Sequence, residues 1–467
     1  MKKVTIFAAS AAMVALASCS QEDVLSNGVG TPDGKAAISF NHYSVINQTK
    51  GTSVEGTDGF NTRFATDGFG VIAFSDKDAF DGPWIGNYNA TGSTAVQIIG
   101  NNGGSATAGW YYNNPEDMNY WPDAEGGAKT LDFLAYAPYT GFAGTATATK
   151  ASGLSVVDYT VPLTQAEQDD FMFASLNNQA ESNATAGTGA ANASQKHITL
   201  NFQHALTQVR FLGSVKSEKV HVKVSDITIH NLANVGDFTV VTESSTAVTT
   251  DNDDNADTDN FQNAAGTWSN IHNVTTATNI FTTAATTTQY PVTFGGNVGA
   301  ASAVYLAGAK TGVTGADASN GDQENAIILL PQQIKPWATT KAIADNDALK
   351  DGSIGAYLKI TGTIWVYDPA DVAAGGSSDN WTKEYLLGSD VKDGVAYVPF
   401  HDGVAGVENT GTVATAANSL WLPNNRVTYN LIFDGGFDPT GQENFYEITF
   451  DATAQPWDDV TGGNVSM

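Results

Sequence analysis

From Ala36 onward, apolar and polar residues alternate with a period of two in short runs rich in β-branched and aromatic side chains, broken by Gly, Asn, Asp and Pro. Successive side chains of a strand point to opposite faces, so this pattern predicts half-buried β-strands. Over Arg426 to Gly435, Val427, Tyr429, Leu431 and Phe433 alternate with Thr428 and Asn430, which sets one face against a core. Over Lys359 to Tyr367, Ile360, Ile364 and Val366 point one way and Thr361, Thr363 and Trp365 the other. In His221 to His230 the apolar positions move from Val222 and Val224 to Ile227 and Ile229, a phase slip that predicts a β-bulge or strand break at Ser225-Asp226. Leu131 to Ala137, His197 to Phe211 and Phe445 to Phe450 add further strands. Helical signal is sparse. Thr164 with Glu167 three residues on has capping-box spacing, which predicts one short helical turn before Asp169-Asp170 and Phe171 to Leu176.

Two stretches lack this periodicity: an Asn-Ala-Ser-Thr-Gly segment between Leu176 and Gln195, and a longer Thr-Asn-Asp-Ala segment from Thr239 to Thr288. The first marks a domain boundary. The expected organisation is all-β, as two tandem β-sandwich lobes: residues 36–196, then residues 197–467 carrying a polar insertion near 239–288.

The first 35 residues follow a different logic. Lys2 and Lys3 precede an apolar run from Val4 to Leu16 and then small residues, the order of a secretory signal over residues 1–18. That run is shorter than the ~20 residues needed to cross a bilayer. Leu16-Ala17-Ser18 leads into Cys19, the single cysteine of the chain, at the place where a bacterial lipoprotein carries its acylated residue. Cys19 is therefore the expected lipidation site and residues 19–35 a tether. Acyl chains on Cys19 would supply the two signals that stable anchoring requires. Glu22-Asp23 just beyond resemble the surface-export signal of some Gram-negative lipoproteins. The expected location is the outer membrane, facing outward. With no second cysteine, the body folds without disulfides.

Composition narrows the partners. Forty-nine acidic against 21 basic side chains give a net charge of -28, which repels phosphate backbones, so no nucleic acid partner is expected. Apolar content of 42% excludes global disorder. Catalytic signatures are missing from the sequence: there is no Gly-x-Ser-x-Gly elbow, no His-Glu-x-x-His, and no phosphate loop, Gly127-Ala128-Lys129-Thr130 lacking the required glycine spacing. The histidines, His197, His204, His221 and His230 among them, read as strand-edge or core residues. The acidic run from Asp251 to Asp259 fails as a calcium loop, since Ala256 stands where glycine must turn and Gln262 where a bidentate Glu belongs. No enzyme activity, metal or cofactor is expected. Trp84, Trp110, Tyr111, Tyr112, Tyr120 and Trp121 cluster in the N-terminal lobe as candidates for stacking on sugar rings, or for core packing.

A set of motifs in order along the chain resembles the fimbrillin family, lipoprotein precursors of type V pili and related surface adhesins. The motifs are the lipobox at Cys19, Thr62-Arg63-Phe64 before Gly68-Phe69-Gly70-Val71-Ile72-Ala73-Phe74, and Tyr120-Trp121-Pro122 before Leu131-Asp132-Phe133-Leu134-Ala135-Tyr136-Ala137-Pro138. They continue with Phe202-Gln203-His204-Ala205-Leu206-Thr207-Gln208-Val209, Leu330-Pro331-Gln332-Gln333, and Tyr429-Asn430-Leu431 before Gln455-Pro456-Trp457. The resemblance implies two transthyretin-like Greek-key sandwiches without an active site. It also implies loss of the first strand, here Ile38 to Ile46, to a trypsin-like cut after Lys50 or Arg63, and refilling of the vacated groove by a neighbouring subunit's strand. Expected partners are other pilin subunits or copies of this chain, with a host or bacterial surface as ligand. The alternative is a surface glycan-binding lipoprotein for polysaccharide uptake, which needs a contiguous exposed row of those aromatics.

Overall fold

The computed structural model describes residues 36–43, 64–75, 82–100, 110–122, 130–164, 167–186, 195–215, 220–240, 266–272, 289–292, 296–298, 304–305, 327–332, 334, 356–367, 381–386, 395–399, 421–437 and 443–456. Cys19, Lys50, Arg63 and the acidic run lie outside them, as does the polar excursion apart from 239–240 and 266–272.

Within these residues the chain is all-β. The strands begin with β1 (Ala37–Tyr43), β2 (Phe69–Ser75), β3 (Val96–Gly100), β4 (Trp110–Tyr112), β5 (Leu131–Ala137), β6 (Ala143–Thr149), β7 (Gly153–Thr160), β8 (Met172–Gln179), β9 (Thr185–Ala186), β10 (Gln195–Asn201) and β11 (Gln203–His204). They continue with β12 (Thr207–Val215), β13 (Val220–His230), β14 (Val235–Val240), β15 (Thr267–His272), β16 (Gln289–Val292), β17 (Gly296–Val298), β18 (Val304–Tyr305), β19 (Ile327–Leu329), β20 (Tyr357–Tyr367), β21 (Trp381–Leu386), β22 (Val395–Pro399), β23 (Asn425–Phe437) and β24 (Glu443–Pro456).

Nine strands form one sheet in the order β11-β8-β5-β2-β3-β4-β1-β10-β9. Phe40 on β1 and Phe133 on β5 are four places apart in that order. In a flat sheet this would separate them by ~19 Å. Their ring centroids are 6.2 Å apart, so the sheet is rolled onto itself around an enclosed core. Ile38 and Phe40, Phe69 and Val71, Phe133 and Ala135, and Ile198 and Leu200 all turn into that core. The opposite face of the sheet carries Ile72 and Phe74 of β2, Leu134 of β5 and Phe173 of β8 into a second core, shared with Leu154, Val156 and Phe238 and continuing to Phe211, Leu358, Tyr429 and Leu431.

The four-stranded sheet, β15-β14-β7-β6, takes two strands from each side of residue 196, and β10 itself crosses that position. Two further sheets, β18-β12-β23-β24 with β19 on β12, and β16-β13-β20-β21 with β17 on β13 and β22 on β20, use only strands after it. The parallel pairing of β12 with β23 repeats that of β1 with β10.

Local chemistry explains several elements. The register of β13 against β20 shifts between Val224 and Asp226, the bulge that the apolar phase slip predicts. Gly68 holds φ +71, and a Cβ there would collide with the Ile98 carbonyl, so the turn into β2 requires glycine. Gln332, buried after β19, accepts from the Ala233 N–H at 2.8 Å and donates to the Ala233 carbonyl at 3.1 Å, pinning the segment between β13 and β14. The short helical turn expected at Thr164 is present: Glu167 N–H donates to the Thr164 carbonyl at 2.9 Å, and β8 follows it. Met172, Ala174 and Leu176 face one core while Phe171 and Phe173 face the other, so β8, paired to β5, is buried on both faces.

His230, at the end of β13, stacks face to face on Tyr357 at 4.6 Å with 4° between the planes. Burial, reinforced by the positive charge of Lys359, holds its imidazole down to about 4. The fold therefore keeps it neutral where the unfolded chain protonates it. Stability is complete above pH ~6.5 and is lost as pH falls toward about 4, by about 3 kcal/mol in all. Denaturant melts of His230→Phe, which keeps the stack, should show an acid-side loss smaller than wild type by about that amount. Equal losses in the two proteins would contradict the assignment.

Candidate functional site

β1 is held from both sides. Along one edge it runs parallel to β10, in register from Ala37 opposite Gln195 to Tyr43 opposite Asn201. Along the other, Phe40 pairs with Trp110 of β4, and the segment before β5 continues the ladder. Ile38 N–H donates to the Asn119 carbonyl at 3.0 Å, Trp121 N–H donates to the Ala36 carbonyl at 3.1 Å, and Ala37 bridges Tyr120.

The alternation of β1 separates its side chains by role. Ile38 and Phe40, each 1% exposed, enter the enclosed core. The Phe40 ring meets Phe69 at 6.4 Å, Tyr112 at 5.8 Å and Phe133 at 6.2 Å, all in edge-to-face geometry. Ser39 points to the other face, where its hydroxyl lies 2.7 Å from Nδ1 of His197, its register partner on β10. Burial lowers the pKa of His197 from its ordinary value, which favours the neutral imidazole.

The aromatic cluster marked in the sequence does not form an open stacking face. Trp110, Tyr112 and Trp121 are 8%, 7% and 1% exposed, and they wall the core around β1. Trp84, Tyr111 and Tyr120 are half-buried. Trp110-Tyr111-Tyr112 lies on a strand, so alternate rings turn inward, and desolvation raises the pKa of the Tyr112 phenol, keeping it neutral. Trp84 serves as a brace: its Nε1–H donates to the Tyr120 carbonyl at 2.9 Å, and Asn119 Nδ2 donates back to the Trp84 carbonyl, fixing the segment that pairs with β1. Trp84→Phe should lower stability by about 1 kcal/mol in denaturant melts, the value of one such bond.

Lipidation at Cys19 and cleavage after Lys50 or Arg63 fall outside the described residues. Sequence reasoning did not single out the Ser39–His197 contact, because its partners lie 158 residues apart and strand pairing across that distance leaves no local pattern. Among the described residues no group of three His, Cys, Asp or Glu could hold a metal. β1 is thus held by ladder bonds on two edges and by two apolar anchors.

Among solved structures, a putative cell adhesion protein from Bacteroides uniformis is similar over 91% of this chain and 100% of its own, at 13% identity and a TM-score of 0.37. A putative cell adhesion protein from Bacteroides ovatus has 13% identity over 91% of this chain and 98% of its own, with a TM-score of 0.35. The tip fimbrial protein Mfa3 from Porphyromonas gingivalis, with a C-terminal truncation, has 10% identity over 89% of this chain and 99% of its own, with a TM-score of 0.28. No curated protein matches the sequence. The model of the fimbrillin-like family matches residues 57–350, well over half the chain. The protein therefore belongs to the fimbrillin-like family, non-enzymatic fimbrial proteins of the cell surface.

Proposed function

We propose that this chain is a fimbrial subunit or fimbrillin-like adhesin, exported as a lipoprotein through Cys19 to the outer membrane, which assembles by donor-strand exchange after a trypsin-like cut after Lys50 or Arg63 frees β1. The observation that supports this reading most is the position of β1: it is the first strand of the described chain yet an interior strand of its sheet, paired on both edges. Its departure would leave unpaired backbone along β10 and β4 and empty the places of Ile38 and Phe40, each worth roughly 1.5–3 kcal/mol in burial. A strand from a neighbouring subunit would restore both. Sister subunits are the partners, with a host or bacterial surface as the final ligand.

The test is limited trypsin treatment of the purified soluble body, followed by mass measurement and gel analysis without boiling. Loss of the N-terminal segment with growth of SDS-resistant ladders is the expected result, abolished in whichever of Lys50→Gln and Arg63→Gln removes the cut. Clean release of the segment with no ladder would contradict assembly by this route.

A further inference from the structure

On the β10 wall of the groove that holds β1, His197 stands opposite the position between the two apolar anchors. Ile38 and Phe40 are enclosed, and Ser39 between them meets His197 at 2.7 Å in direct register. A neutral imidazole has one donor and one acceptor nitrogen, and its tautomer decides which of the two roles Nδ1 presents to the groove. A hydroxyl, with one O–H donor and two lone pairs, satisfies Nδ1 in both cases: Ser39 O–H donates to a bare Nδ1, or Nδ1–H donates to Ser39 Oγ. An aliphatic side chain satisfies neither, and Ser39 is itself buried, which limits water as a substitute.

Resting on the donor-strand reading above, we propose that His197 makes this groove selective for the strand that refills it: the incoming segment must carry Ser or Thr where Ser39 stands, between apolar residues at the places of Ile38 and Phe40. The partner is thus an extended segment of the pattern apolar, hydroxyl, aromatic, entering parallel to β10. The two anchors supply most of the grip, and the hydroxyl fixes register. A slip by one residue would set an apolar side chain against His197 and turn the hydroxyl into the aromatic core. His197 acts here as a specificity residue; it has no part in any bond-making step.

The test uses the trypsin-processed full chain and fluorescein-labelled synthetic peptides of the sequence Ala37–Tyr43 carrying Ser, Thr or Val at the place of Ser39. Valine matches threonine in shape and strand preference, so a difference between them reports the hydroxyl. Ser and Thr peptides should bind within about twofold of each other and the Val peptide about three- to tenfold more weakly. In His197→Leu the preference should vanish or reverse, and in His197→Gln, which keeps hydrogen-bonding groups, it should return. Equal binding of all three peptides to the wild-type chain would overturn the selectivity while leaving strand donation intact, as would a hydroxyl preference that survives in His197→Leu. If no peptide enters a chain that has demonstrably lost β1, both the selectivity and the donor-strand reading fall.

Discussion

Truncating Phe40 to alanine will lower the stability of the folded chain by about 3–5 kcal/mol, the range for removing a large aromatic from a core that cannot collapse into the space. Collapse is opposed here because the ring is surrounded by rings. Phe69, Tyr112 and Phe133 meet it edge-on from three strands, and Trp121 packs on Phe133 at 6.2 Å behind them. Those strands are fixed by their own ladders, so the cavity would persist and each facing ring would lose its contacts. Phe40→Leu, which keeps part of the volume, should cost less. Denaturant melts read through near-ultraviolet circular dichroism, which reports this aromatic box, would measure both. Because Phe40 belongs to β1, the alanine variant should also release the strand faster once the chain is cut. A loss under 1 kcal/mol would mean that β1 is not an anchor of this core.

The second large effect is expected at the buried pair His204 and Asp170. His204 Nδ1 lies 2.8 Å from Asp170 Oδ2, with side chains 3% and 0% exposed. Asp170 precedes β8 and His204 ends β11, the strand that pairs with β8 through His204 opposite Met172. The neighbouring Ala205 N–H donates to the Phe171 carbonyl at 2.8 Å, so side-chain and backbone bonds together pin the place where the chain leaves the nine-stranded sheet for β12. His204→Leu or Asp170→Leu alone should cost about 3–5 kcal/mol, because each takes from a buried polar group the partner that compensates its desolvation. The double replacement should cost far less than the sum, since an apolar pair of similar volume carries no such penalty. A double-mutant cycle in denaturant gives the coupling directly. Additive losses would show that the two side chains act separately.

Much of the architecture could be read before any coordinates. Period-two runs of apolar and β-branched residues located several strands well: Leu131–Ala137 is β5, and the readings around residues 359–367 and 426–435 became β20 and β23. The strand β8 was not read from the sequence because its buried stretch, facing a core on each side, lacks a regular apolar–polar alternation. The aromatics were visible as a cluster, but sequence does not say which face of β4 meets the core. Trp110 and Tyr112 turned inward, while Tyr111 between them stayed half-buried. Pairing was least legible. That β1 lies beside β10 follows from how the nine-stranded sheet rolls, a property of the whole sheet that no local run of residues encodes. Ser39, an ordinary serine in the sequence, acquires its place only when His197 arrives opposite it.

The central claim is that β1 occupies a groove which another strand can fill, and backbone amide exchange along β10 tests it most directly. In the intact chain β10 is covered by β1 over residues 195–201 and, among the described residues, on its far edge by β9 at Lys196 and His197. Amides of β10 that face β1 should exchange slowly in the intact chain, fast in the processed monomer, and slowly again in the assembled fibre. Protection that survives the loss of β1, or that fails to return on assembly, would contradict the account.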